Sequence, residues 1–174
     1  ADVRLTIDLE LQRVVENNLE DKRGAVIVMD PRNGEILAMA SRPTYDPTVF
    51  TGPMEQWEWE RMDKQGHPFL NRALSTYPPG STFKVITLSS TLQERTATLS
   101  EKFECKGRFI LGNRVAKCWL ETGHGKQTII DGLINSCDIV FYELGLRNGP
   151  GFLSKYAKAY GLGQKTGIDL PGEL

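Results

Sequence analysis

Pro78-Pro79-Gly80-Ser81-Thr82-Phe83-Lys84 closes one kind of structure and begins another. Two prolines and a glycine cannot continue a helix and suit a tight entry, whereas Val85, Ile86, Leu88 and Leu92 recur behind them at helical spacing. The pattern predicts a helix over residues 81–94, with Ser81 at or beside its N-cap. Residues three apart share a helix face, so Ser81 and Lys84 bring a hydroxyl and an amine together. Serine is a weak nucleophile until a neighbour takes its proton, and a lysine can do so once burial favours its neutral form. The free N–H groups of a helix start also stabilise negative charge developing at an acyl carbon. A serine at a helix start is ordinary and S-x-x-K is a short match, so the flanking chain has to carry more.

Upstream, residues 3–7 alternate like a short strand, and Asp8 caps a predicted helix with apolar positions Leu11, Val14, Val15 and Leu19. Residues 25–29 and 35–40 are two apolar runs joined by Asp30-Pro31-Arg32-Asn33-Gly34, which reads as a hairpin. Runs apolar on both faces imply helices on both sides of a sheet. Residues 41–70 are punctuated by Pro43, Pro47, Gly52, Pro53, Gly66 and Pro68 and read as a loop with one short helix, in which Trp57 and Trp59 cannot share a face. Both tryptophans are read as packing residues.

Downstream, residues 103–119 look like a small hairpin broken by Gly107 and Gly112-Asn113. Thr128 caps a short helix that leads into Asn135-Ser136-Cys137-Asp138, followed by an apolar helix ended by Asn148-Gly149-Pro150 and a last helix over residues 152–160.

The composition is that of an ordinary globular protein, 40% hydrophobic and 25% charged over 174 residues, and one domain is the default. A formal net charge of −1 offers no basic field for nucleic acid. No run is long enough to cross a membrane, so an anchor or export signal is expected outside this chain. The cysteines at 105, 118 and 137 lack paired C-x-x-C spacings, and His67 and His124 stand alone, so neither a metal nor another cofactor is read. His124 is read as structural, with no acid partner nearby in sequence. Cys105 and Cys118 could pair across the hairpin in an oxidising compartment.

Ser136-Cys137-Asp138 adds a second motif to S-x-x-K. A proline-rich turn, S-x-x-K, a helical insert and S-x-[ND] together resemble the penicilloyl-serine transferases. The flanks narrow this: Asn33-Gly34-Glu35-Ile36-Leu37-Ala38-Met39, Ser41-Arg42-Pro43 with Tyr45-Asp46-Pro47, Asn71-Arg72-Ala73, Cys118-Trp119, Gly123-His124-Gly125 and Thr166-Gly167-Ile168-Asp169-Leu170-Pro171-Gly172-Glu173 look like the class B penicillin-binding proteins, nearest their elongation-specific group.

The resemblance implies an α/β (α+β) transpeptidase fold, a sheet flanked by helices plus an all-helical insert. It divides as residues 1–50 for the first helix and hairpin, 51–80 loop, 81–94 active-site helix and 95–174 mainly helical insert. It implies a D,D-transpeptidase that cross-links peptidoglycan stem peptides and is acylated by β-lactams. Ser81 would be the nucleophile, Lys84 its base and Ser136 a proton relay. Asp138 stands where many relatives carry asparagine, and as a carboxylate it accepts but cannot donate. The implied setting is the periplasmic side of an inner membrane, with a membrane glycosyltransferase, cell-shape proteins and the remainder of the transpeptidase domain as partners. A β-lactamase, a β-lactam sensor and a non-catalytic cell-wall scaffold are the rival readings. Lys165-Thr166-Gly167 spells the family's third motif too early in the chain and is read as a structural turn, the true motif being expected beyond Leu174.

Overall fold

The computed structural model describes residues 2–64 and 66–173. The chain divides into two compact units, residues 1–76 with 170–174, and residues 77–169.

In the first unit, helix α1 (Leu9–Leu19) begins where Asp8 accepts the Leu11 N–H, as the cap pattern predicts. Strands β1 (Gly24–Met29) and β2 (Ile36–Arg42) pair antiparallel, with Val26 opposite Ala40 and Val28 opposite Ala38. Val15 and Leu19 of α1 bury themselves on Ala38 and Ala40. Gln12 adds a polar bond to this contact, its side-chain amide donating to the Met39 carbonyl and accepting the Met39 N–H at 2.9 and 2.8 Å. At the turn, the Arg32 side chain and backbone hold the Asp30 carboxyl below the usual carboxylate range.

One expectation is corrected here. Residues 3–7 form no strand: the chain is tied near β2 by the Thr6 hydroxyl on Ile36 and the Asp8 N–H on Leu37, too few bonds for a ladder. On the hairpin face away from α1, Ile27 and Met29 are about half exposed, whereas Leu37 and Met39 are partly buried.

The loop carries helix α2 (Gln56–Asp63). Its tryptophans take opposite sides. Trp59 stacks on Phe69 with centroids 4.1 Å apart, whereas Trp57 is exposed beneath the Arg61 guanidinium. Buried Arg72 organises the loop by donating to the carbonyls of Gly66, His67 and Leu70.

The second unit starts with a 3-10 turn (Gly80–Thr82) that runs into α3 (Phe83–Gln93). The insert is not all helical. β3 (Lys102–Cys105) pairs with β6 (Gly125–Thr128), and β4 (Arg108–Leu111) with β5 (Arg114–Lys117). The β4–β5 hairpin turns at Gly112-Asn113, as the sequence suggests, whereas β3, with outward Lys102 and Glu104 alternating with inward Phe103 and Cys105, and its partner β6 are too short to stand out in a sequence. Helix α4 (Ile129–Ile134) is opened by a capping box of Thr128 and Asp131, and α5 (Asp138–Ala159) breaks at Gly149, where φ is 66° and Pro150 follows.

Ile129, Ile139, Val140 and Leu144 are buried with Phe103 and the three cysteines. Each such aliphatic side chain contributes about 1.5–3 kcal/mol. Asn148 of α5 reaches across to α3, donating to the Thr87 carbonyl and the Thr91 hydroxyl and accepting from Thr96. Among the described residues no helix is long and apolar enough to cross a membrane.

Candidate active site

The entry turn sets Ser81 one turn ahead of Lys84. Gly80 takes φ 57°, a left-handed conformation that a side chain would oppose, and the Thr82 hydroxyl ties down the Pro79 carbonyl. Ser81 thus lies in the 3-10 turn just before the α-helix, whose N-cap is Thr82.

Lys84 is only 8% exposed, and its amine is the hub. Nζ lies 3.3 Å from Ser81 Oγ, 2.9 Å from Ser136 Oγ, 2.8 Å from the Ser136 carbonyl and 2.8 Å from Asp138 Oδ1. All four residues picked from the sequence therefore meet at one nitrogen. They come from the start of α3, the α4–α5 turn and the first residue of α5.

The α4–α5 turn is a Schellman-type helix end. Ser136 N–H bonds the Leu133 carbonyl and Cys137 N–H the Gly132 carbonyl. The position that usually holds glycine is Ser136, with φ 49°. A side chain held left-handed costs about 1–2 kcal/mol, and here it delivers both a hydroxyl and a carbonyl to Lys84.

Two acceptor-only partners give the amine direction. In its neutral form a lysine has two N–H bonds and one lone pair; were the Ser136 carbonyl and the Asp138 carboxylate to take the N–H bonds, the lone pair would face the hydroxyls of Ser81 and Ser136. A cavity of about 650 Å³ opens beside Ser81, Lys84 and Asp138, walled by Phe83, Phe109 and Tyr142. Burial, followed by the Asp138 charge, pushes the Tyr142 phenol up, so it presents O–H rather than phenolate.

Trp119, quoted from the sequence only as part of a family match, also reaches this turn. Its backbone N–H donates to Asp138 Oδ2 at 3.1 Å and its indole N–H to the Asn135 carbonyl at 3.0 Å. Lys165 of Lys165-Thr166-Gly167 is exposed and lies outside the set of groups bonded to the Lys84 amine.

The cysteines are not scattered as their spacing suggests. Cys105, Cys118, Cys137 and His124 offer ligand atoms that all lie within 4.8 Å of one another, and no disulfide joins the thiols. Close backbone crossing makes this possible: a Cβ on Gly107 would meet the Glu121 carbonyl oxygen at 2.0 Å, and one on Gly123 the Cys105 carbonyl oxygen at 2.2 Å. His124 Nδ1 stands 3.6 and 3.5 Å from the sulfurs of Cys105 and Cys118. Bonds of about 2.3 Å to sulfur and 2.0–2.1 Å to nitrogen, arranged tetrahedrally, put sulfur and nitrogen about 3.5 Å apart.

Burial raises the Cys105 thiol, but the backbone N–H groups of His124 and Gly107, with the His124 ring and Cys137, outweigh it and bring the thiol to about 7. Burial pushes Cys137 up to about 12. These four residues are able to hold a soft divalent cation such as zinc, which corrects the reading that His124 and the cysteines stand apart. No pairing of Cys105 with Cys118 is present.

A family profile described as the penicillin binding protein transpeptidase domain matches residues 24–174. The chain is 40% identical to stage V sporulation protein D of Bacillus subtilis and 35% identical to the peptidoglycan D,D-transpeptidase MrdA of Acinetobacter baumannii. Each alignment takes in 99% of this chain and 26% of the relative, so the chain spans about a quarter of the curated relatives it matches. Among solved structures, the complex between penicillin-binding protein PBP2 and MreC from Helicobacter pylori aligns with a TM-score of 0.89 at 35% identity, over 97% of this chain and 32% of that one.

Proposed function

Because the chain belongs to the penicillin binding protein transpeptidase family, we propose that it supplies the nucleophile side of a serine D,D-transpeptidase acting on peptidoglycan stem peptides. The observation that carries this reading is the Lys84 amine, buried and shared by Ser81, Ser136 and Asp138. Ser81 Oγ attacks the carbonyl of the penultimate residue of a stem peptide while its proton passes to Lys84. The tetrahedral centre collapses, the terminal D-alanine leaves as an amine protonated through Ser136, and an ester on Ser81 remains. An amine from a second stem peptide then attacks the ester, gives up its proton by the same route and restores Ser81. A β-lactam enters the first step as a cyclic amide: its carbonyl carbon forms the ester with Ser81, the ring C–N bond breaks, and the protonated nitrogen stays tethered to the opened drug rather than departing.

The proposal extends to a setting outside the cytoplasm, on the periplasmic face of an inner membrane, where a transpeptidase would meet its stem peptides. Partners of that setting are a membrane glycosyltransferase and cell-shape proteins; the likeness to a PBP2 solved with MreC supports the latter. Mass spectrometry of the full-length protein after incubation with a labelled penicillin tests the function. A stable adduct on Ser81, absent in Ser81→Ala, is expected. Rapid release of the hydrolysed drug would favour a β-lactamase, slow release coupled to a signalling change a sensor, and no adduct a scaffold.

A further inference from the structure

Trp119 is 64% exposed, so core packing does not account for it. What it offers the fold is two donors on either side of one turn. Its indole N–H holds the carbonyl of Asn135, the last residue before the left-handed Ser136, and its backbone N–H holds Asp138 Oδ2 beyond that residue. Asn135 is fixed from its other end by donating its side-chain amide to Gln127 at 2.7 Å. The second oxygen of Asp138 belongs to Lys84.

Resting on the transpeptidase reading above, we infer that Trp119 is a positioning residue for acyl transfer: it straps the Ser136 turn at both ends and, through its backbone N–H, requires residue 138 to be a carboxylate. Asp138 meets one donor on each oxygen, and an ionised carboxylate accepts at both. An asparagine offers one oxygen and one NH2. Turned with its oxygen to Lys84, it sets its NH2 against the Trp119 N–H. Turned with its oxygen to Trp119, it points its NH2 at the Lys84 amine and occupies the lone pair that has to take the Ser81 proton. The aspartate at this position thus follows from the residue placed opposite it, and unlike asparagine it turns no donor toward the amine.

The test is the acylation of full-length protein by a fluorescent penicillin, with the covalent rate constant separated from reversible affinity and thermal melting recorded for every variant. Trp119→Phe keeps the ring and the backbone N–H but loses the indole donor; the covalent step should slow about tenfold with affinity and melting temperature unchanged. Asp138→Asn should slow it on the order of a hundredfold, since either the buried Lys84 amine or the Trp119 N–H is left facing a donor. Replacing Trp119 by its α-hydroxy acid, which turns the amide into an ester and deletes the N–H, should restore most of the Asp138→Asn loss. An Asp138→Asn variant within threefold of the parent, no rescue by the ester, or a Trp119→Phe loss that merely follows lowered melting would overturn the inference. A parent protein that forms no adduct on Ser81 would instead overturn the transpeptidase reading, and the inference with it.

Discussion

Ser136 shows how a single residue can be held against its own preference for a chemical purpose. Its left-handed backbone is the glycine position of a helix end, yet its hydroxyl and carbonyl both serve Lys84. Ser136→Gly should therefore be more stable than Ser136→Ala by about 1 kcal/mol in urea melts, while both lose penicillin acylation. Lys84→Arg keeps the positive charge but cannot give up its proton at working pH, and acylation should fall by orders of magnitude in the same assay. At this scale the sequence was informative where chemistry is local. Ser81 and Lys84 share one helix face, and Ser136 with Asp138 carry a recognisable motif. Trp119 could not be found that way, because its two bonds cross from the end of a strand hairpin to another turn, and half of its contribution is a backbone N–H common to every residue type but proline.

The helices were legible because their caps are written in neighbouring residues: Asp8 before α1, Thr128 and Asp131 before α4, Gly149-Pro150 inside α5. In the second unit the β4–β5 hairpin was legible at Gly112-Asn113, whereas the β3–β6 ladder was not, since its two short strands draw their stability from partners far apart along the chain. How α3 and α5 lock together was also hidden. Asn148 is 5% exposed and bonded to three groups around α3, so Asn148→Leu should cost about 1–3 kcal/mol in chemical denaturation by stripping partners from Thr87, Thr91 and Thr96. Further along, the Lys155 and Tyr156 side chains hold the Glu94 carboxyl below its ordinary value. A depressed carboxyl adds stability in full above the unfolded value and loses it as pH falls through the folded one. The stability gap between the parent and Glu94→Gln should accordingly be present at neutral pH and close as the solution is acidified below about pH 4.5, as followed by melting temperature.

For the whole molecule, the feature farthest from the reach of sequence is the gathering of Cys105, Cys118, His124 and Cys137. No spacing rule joins them, because the backbone crossing at Gly107 and Gly123 does. Cobalt titrated into the reduced protein should bind one equivalent, with the visible and near-ultraviolet bands of a tetrahedral thiolate site, and a Cys105→Ser, Cys137→Ser double variant should show neither.

Trp119 has an optical consequence as well. Its ring lies edge-on to His124 with centroids 5.2 Å apart, and its indole N–H is anchored one residue from Ser136. The protein has three tryptophans, and Trp57 and Trp59 both belong to the first unit. Replacing those two by phenylalanine leaves a single emitter that touches His124 of the thiol cluster on one side and Asp138, a partner of Lys84, on the other. Its fluorescence would then follow drug attachment in real time without any added dye, and paramagnetic cobalt bound at His124 would quench it.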